Sequence, residues 1–502
     1  MKTLLLAVIF SMVFAVETLA AFCGDENTVY SPVDFNKDCR VDIKDLAMFA
    51  NMWAFPEAEH SYIDSIEELR AASTQSGRNI YMKPGTYLVK DSLADNQTVF
   101  NFSGSDNYFD LSGVTIQIDT TVMSKMTSDE AHELGVYRIL GDNITFEGAT
   151  FENVGDAAPQ SSLNDFSVTG DDAVFKNCKF ITRGSSPYGY GDMYGKGAGS
   201  YVYLRKHAAM SIHGDRCLVE DCYFRIQTFG HAISIHGSQD TVVRNVKMLG
   251  ELRLTDEIYN ETSGPAFDFD FKMMYPDWKL GLPIPLGEML SLTEDGVRAY
   301  LDGEDKFGTL RRTGHITVEN CFVERMRGGI TLALARSATV SGCTVIDCGY
   351  TGHAYSLPSD STVRNSSGNA AYSPLLFMPY SNRENADIEL ELLESDYGMG
   401  AHSLVMVTGR IYNRVVINYP CQAPVNQLRP IVIGSVGDRY NETNSTPEEL
   451  AANHMASGYV INNLSPHPIE LTQYSDNCNV LSIGAVVDYG VDNTFGIINC
   501  ED

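Results

Sequence analysis

Seven times along the chain an eight-residue segment recurs in which apolar or small residues alternate with polar ones and a turn-like break follows. The copies are Ile144 to Phe151, Ala173 to Phe180, Cys217 to Phe224, Thr241 to Met248, Ile316 to Val323, Ala338 to Val345 and the more polar Ser361 to Gly368. Start-to-start spacings of 24 (241 − 217), 22 (338 − 316) and 23 (361 − 338) are the length of one coil of a β-helix. Spacings of 29 (173 − 144), 44 (217 − 173) and 75 (316 − 241) read as coils carrying insertions. The fifth octet residue is always Gly, Asn or Asp, which suits a tight bend at positive φ between two short strands, and Asn side chains there can pair along the axis. The sixth is Cys in four copies (Cys178, Cys222, Cys321, Cys343), read as small interior packing residues. A solenoid adds coils to one continuous core, so a single mainly β, right-handed parallel β-helix is expected over 56–502, with one long insertion at about 249–314.

Polar side chains recur at one place just ahead of successive octets: Lys206-His207, Gly230-His231 and Gly352-His353, with His213 and His236 at the end of the same segments. Equivalent positions on neighbouring coils lie about 4.8 Å apart, so such a column can face one elongated ligand. Arg205, Arg225 and Arg327 are close by in sequence. The long insertion brings Glu251, Arg253, Asp256, Trp278, Glu294, Asp295 and Arg298, and a second, aromatic insertion runs from Gly184 to Gly197. Long loops on a solenoid tend to carry function. The candidate catalytic set is therefore His231, His353, His207, Lys206, Arg327, Tyr355, Glu251, Asp256, Glu294 and Asp295. Candidate substrate-binding residues are Arg205, Arg225, His213, His236, Arg253, Trp278 and Arg298.

The N-terminus reads differently. Lys2 followed by the apolar run Leu4 to Val16, too short to span a bilayer, is the pattern of a secretory signal peptide over 1–20. A secreted, periplasmic or cell-surface protein is expected, with no membrane span after its removal. In 21–55, Asp34, Asn36, Asp38, Asp42 and Asp45 stand at positions 1, 3, 5, 9 and 12 of a loop, the oxygen-donor spacing that suits calcium, and an apolar helix-like stretch follows. The segment resembles a dockerin repeat, or half an EF-hand, with Cys39 where Gly is usual and only one repeat evident; the resemblance implies a cohesin-like or cell-surface partner. Cys23 and Cys39 would close a short loop there, and Cys217, Cys348, Cys421, Cys478 and Cys500 are the other cysteines open to disulfides.

After Pro56, Asp64 to Glu67 reads as a capping box opening a helix, and Asn79 to Val89 as strand, Pro84-Gly85-Thr86-Tyr87 turn and strand. With the Asn- and Cys-rich coils behind it, this order resembles the pectin-lyase-like superfamily of β-helix proteins across most of residues 60–500. The resemblance implies a glycan lying along one parallel sheet. It leaves the chemistry open, because that superfamily holds lyases, hydrolases, epimerases and adhesive tailspikes. Gly170-Asp171-Asp172 is similar to the paired aspartates of polygalacturonase-like hydrolases, but the other segments of that family are missing.

Charge narrows the ligand. With 36 basic and 65 acidic residues the net charge is −29, which disfavours nucleic acid and requires any polyanionic substrate to find the few cations gathered in one groove. Two catalytic readings follow for an acidic or sulfated polysaccharide. A lyase would neutralise a uronate carboxylate with Arg or His and pass the proton through His, Lys or Tyr, which the basic column favours. A glycoside hydrolase would use a carboxylate pair from the insertion. The column tips the reading towards β-elimination, and a non-catalytic glycan-binding or adhesive solenoid is the third reading.

Overall fold

The computed structural model describes residues 41, 44–45, 61–90, 99–126, 135–195, 202–274, 281–380, 382–395, 403–410, 412–420, 427–434 and 453–499. The signal peptide, Asp34, Asn36, Asp38, Asp42, the Cys23 and Cys39 pair, Cys421, Cys500 and Trp278 lie outside the described residues.

The first six octets each fold as two short strands at an angle, and the seventh is one continuous strand, Ser361–Gly368, whose pairing shifts register between Val363 and Ser366. The first halves stack in parallel from Asn107–Asp110 through Ile144–Glu147, Val174–Lys176, Leu218–Glu220, Thr241–Arg244 and His315–Glu319 to Ser337–Ser341. The second halves form a parallel stack of their own, from Gly85–Val89 through Val114–Asp119, Thr150–Val154, Lys179–Arg183, Tyr223–Gln227, Lys247–Leu249 and Phe322–Glu324 to Thr344–Ile346. A third face is a 13-stranded parallel sheet that begins at Phe100–Phe102. The protein is thus a parallel β-helix, and successive octets occupy successive coils even where 75 residues separate them (316 − 241).

The bend inside each octet is set by its fifth residue. Gly148, Asn177, Asp221, Asn245, Asn320, Gly342 and Asn365 all take φ between 50° and 78°, a region closed to most side chains but open to Gly and tolerable for Asn and Asp. The amides then link coils: Asn245 Nδ2 donates to Asp221 at 3.0 Å and Asn320 Nδ2 to Asn245 at 3.3 Å. The third and eighth octet residues point inward, where aromatic rings stack along the axis, Phe109 on Phe146 at 5.2 Å, Phe146 on Phe175 at 5.3 Å and Phe180 on Phe224 at 4.4 Å. The sixth-position thiols are buried and unoxidised, as are Cys217, Cys348 and Cys478.

At the N-terminal end the helix Ile66–Ser73 closes the first coil by burying Leu69 and bonding Ser73 Oγ to the Asn101 carbonyl at 2.9 Å. Its capping box is one residue further on than the sequence suggested. Ser65 is the cap, and Glu68 reaches back to the amide of Asp64.

The expected single insertion at 249–314 is corrected to two excursions. Between them Val297–Ala299 returns to the 13-stranded sheet and pairs with Ile233–Ile235 on one side and Gly328–Thr331 on the other. The first excursion is a small subdomain whose core joins Ile258, Ala266, Met273, Ile284 and Leu290 to Met193 and Tyr194 of the aromatic insertion. The second is the hairpin of Asp302–Glu304 and Leu310–Arg312. Three residues are too few to show a period, which is why that strand was hidden.

The bend predicts a residue-specific cost. Replacing Asn320 with Val should lower stability by about 1–2 kcal/mol, because a β-branched residue at positive φ is strained. Asn320→Gly should be closer to neutral. Urea-unfolding midpoints of the three proteins would check this.

Candidate active site

The site forms at the corner where each coil enters the 13-stranded sheet. Backbone bonds run from coil to coil there: His207 N to Phe229 O, Glu294 N to Gly230 O at 3.0 Å, Arg327 N to Glu294 O at 2.9 Å, and Gly328 registers with His353. The glycine of the Gly-His pairs allows the coils to approach. A Cβ on Gly352 would lie 1.4 Å from the Arg327 carbonyl oxygen. Lys206, His231, Glu294 with Asp295, and Arg327, scattered over 122 positions (327 − 206 + 1), are thereby stacked on four adjoining coils.

Their side chains form a charged knot that is almost closed to solvent. Arg327 Nη2 lies 3.0 and 3.1 Å from the two Asp295 carboxylate oxygens, and Nη1 is 3.4 Å from Asp192 and 3.5 Å from Glu294. Lys206 Nζ is 2.8 Å from Glu294, Arg298 is 3.6 Å from Asp295, and Thr351 donates to Asp192 at 2.8 Å. Three cations thus balance three carboxylates. Burial would raise Glu294 and Asp295, but for Glu294 His231, at the low pH where it is protonated, and Lys206 and Arg327 throughout outweigh it, and for Asp295 Arg327 and Arg298 do so, holding both well below the carboxylate range.

His231 is pulled down to about 4 by burial, against the opposing pull of Glu294 and Asp295, so it is neutral at pH 7. Its tautomer follows from its neighbours. The Asp295 amide donates to Nδ1 at 3.1 Å, so the ring hydrogen sits on Nε2, which lies 2.9 Å from the Tyr300 hydroxyl and 3.3 Å from Glu294. The Tyr300 oxygen accepts, and its own hydrogen turns away from His231. Burial first, and Glu294 after it, push this phenol above its ordinary value, so it stays protonated.

Tyr300 also ends a ladder of rings along the sheet. His213 stacks on His236 with centroids 4.9 Å apart and planes 7° apart, and His236 on Tyr300 at 4.3 Å and 10°. The Arg298 guanidinium lies over Tyr300 at 5.5 Å. The three rings and Arg298 are partly exposed. The second hairpin walls this strip, with the Glu304 carbonyl 3.1 Å from His213 Nδ1 and Gly303 pressed against His236.

Other expected residues fall elsewhere. His207 is fully buried between the Arg183 carbonyl at 2.7 Å and Asp165 at 3.0 Å, and Tyr355 is an interior residue whose hydroxyl lies 2.7 Å from the Ser367 carbonyl, so neither can meet a ligand. Glu251 binds Arg225 at 2.9 Å and Tyr188 at 2.5 Å, Arg253 binds Glu261 at 2.6 Å, and Asp256 accepts from the Gly287 amide at 2.7 Å. Arg225, Glu251, Arg253 and Asp256 are thus occupied in seating the subdomain, outside the knot. Arg205 lies over Tyr203 at 5.9 Å. His353 instead borders the knot, in register with Gly328 and close enough for its charge to act on Asp295, and is partly exposed beside Thr331 at 3.3 Å and Phe377. Of Gly170-Asp171-Asp172, Asp171 accepts from the Asp215 amide and Asp172 pairs with Arg216, both coil-to-coil bonds. Asp45 is buried, and among the described residues no His, Cys, Asp and Glu group could hold a metal ion.

Sequence reasoning missed Asp192 and Thr351 and did not place Tyr300 among the site residues. The alternation Val297, Arg298, Ala299, Tyr300, in which only Arg298 and Tyr300 reach solvent, was the available signal for Tyr300.

No family model matches this chain, and no curated protein matches it in sequence. Solved structures similar to it include the alginate lyase AlyF-OU02 with G6, at 12% identity over 87% of this chain and 88% of that one, with a TM-score of 0.43. PfbA, a surface adhesin of Streptococcus pneumoniae, is 13% identical over 87% of each chain with a TM-score of 0.38. A tailspike mutant of E. coli bacteriophage HK620 in complex with a hexasaccharide is 12% identical over 94% of this chain and 79% of that one, with a TM-score of 0.45. Such likenesses assign no activity. Among the described residues no helix is long and apolar enough to cross a membrane.

Two outcomes are expected from the knot. Arg327→Met strands Asp295 and Asp192 in a buried place and should cost about 3–5 kcal/mol in a urea titration. His231 has a depressed pKa, so the unfolded chain takes up its proton first as pH falls. The stability its neutral form provides is complete above the ordinary value of 6.5 and is lost down to about 4, by about 3 kcal/mol. Unfolding midpoints at pH 7 and pH 5 should therefore converge in His231→Phe relative to the parent protein.

Proposed function

We propose that the protein cleaves an acidic, uronate-containing polysaccharide by β-elimination, on the strip formed by Lys206, Arg298, Tyr300 and His353. The observation that carries this reading is the neutral His231, whose Nε2–H fixes the Tyr300 oxygen and leaves the phenol proton for a ligand. Lys206 and Arg298 keep about a quarter of their side chains exposed, at 23% and 25%, and meet the uronate carboxylate, making the proton beside it more acidic. Tyr300 then gives its proton to the leaving oxygen, and His353, further along the same sheet edge, takes the ring proton. The stacked His213 and His236 extend the strip for neighbouring sugars.

Hydrolysis by a carboxylate pair needs one carboxyl that is protonated at the working pH. Glu294 and Asp295 are both held ionised by their cations, which speaks for elimination over hydrolysis at this corner. The N-terminal calcium loop is proposed as an attachment module of an exported protein, resting on the spacing of its five oxygen donors.

The test is a panel of alginate, pectate, ulvan, fucan and carrageenan, followed by ultraviolet absorbance and by reducing ends in parallel. New absorbance on a uronate polymer is expected, falling about 100-fold or more in Tyr300→Phe at unchanged fold. Reducing ends without absorbance would overturn elimination, and binding without either signal would make the strip an adhesive surface.

A further inference from the structure

The corner that builds the knot continues towards the C-terminal end, where it meets a second buried arginine. Leu375 N bonds to Leu404 O, Leu404 N to Pro430 O and Ile431 N to Pro468 O, so Arg429, next to Pro430, stands level with Gly328 and His353, one residue beyond the place of Arg327 on an earlier coil. Their surroundings differ in one respect. Arg327 is compensated by Asp295, Glu294 and Asp192, whereas Arg429, 2% exposed, has no carboxylate partner among the described residues. Its Nη2 donates to the Ala370 carbonyl, while Nε and Nη1 are buried and have no acceptor among the described residues. Ser373, three residues beyond Ala370 in sequence, is also fully buried with an unpartnered hydroxyl.

A guanidinium does not shed its proton to escape burial. A lone buried charge is strongly unfavourable, and water can fill the hydrogen bonds without cancelling the charge. We infer that the corner at Arg429 is a binding site for a small inorganic anion of the halide class, held by Nε and Nη1 of Arg429. The complete burial excludes a sugar carboxylate, and a single positive charge matches a monovalent ion. The site is separate from the sugar-binding strip and does not depend on the reaction proposed for it.

The experiment uses the whole protein. Thermal unfolding is followed in sodium chloride, sodium bromide and sodium gluconate at matched ionic strength, for the parent, Arg429→Gln and, as an exposed control, Arg336→Gln. A ligand that binds only the folded state raises the midpoint by mass action. The parent and Arg336→Gln should unfold several degrees higher in either halide than in gluconate, and Arg429→Gln should show no difference. Crystals of the parent grown in bromide should give an anomalous peak within hydrogen-bond distance of Arg429 Nε and Nη1, which decides the matter if Arg429→Gln does not fold. Equal midpoints in the three salts, a halide effect retained in Arg429→Gln, or bromide crystals without that peak would each overturn the inference.

Discussion

Everything in this molecule depends on coils lying one strand spacing apart along the whole axis. Each coil must turn sharply at the same place, and it does so with a residue at positive φ in the middle of the octet. Once that bend is fixed, the two half-octet stacks and the interior columns follow. Phenylalanines stack on phenylalanines because the third and eighth octet residues have nowhere else to go. Insertions of any length are accepted, provided the chain returns one coil further on.

The same constraint explains how a charged knot can be buried at all. Parallel coils put backbone amides and carbonyls of successive turns in register, so residues far apart in sequence arrive with fixed spacing. Arg327, Asp295 and Glu294 do not search for one another; the coil delivers them. Their mutual compensation holds the carboxylates ionised, and burial keeps His231 neutral between them. The arrangement is rigid enough to aim one phenol, since His231 has both ring nitrogens occupied by bonds of known direction.

The coils were legible wherever the octet alternates. The φ of its fifth residue, the Asn ladder and the buried thiols all follow from residue types at a fixed position. Later strands such as Leu376–Met378, Val405–Val407 and Ile431–Ile433 are buried on both faces, so no alternation marks them. The site was legible in part, because Lys206, His231 and Arg327 lie near octets and recur at one phase. His207 shares that phase, but the corner turns it inward, and phase alone does not say on which side of the backbone a corner residue falls; Tyr355 lies further on, within the strand His353–Ser356, where its side chain faces the core. Asp192 and Thr351 come from excursions whose return path has no period to read.

For the acidic glycan proposed above, the global charge of −29 sharpens what the strip must do. Most of the molecule repels a polyanion, so attraction has to be local, yet Arg327 is already spent on three carboxylates. Among the described residues Lys206 and Arg298 each have one carboxylate partner, and each keeps a solvent-exposed edge, so they have capacity left for a ligand. A neutral glycan would gain little from them, while a fully sulfated one would meet the surrounding acids with too little compensation. One carboxylate per sugar, presented to Lys206 and Arg298 beside the Tyr300 hydroxyl, fits both the shortage of cations and the place where they stand.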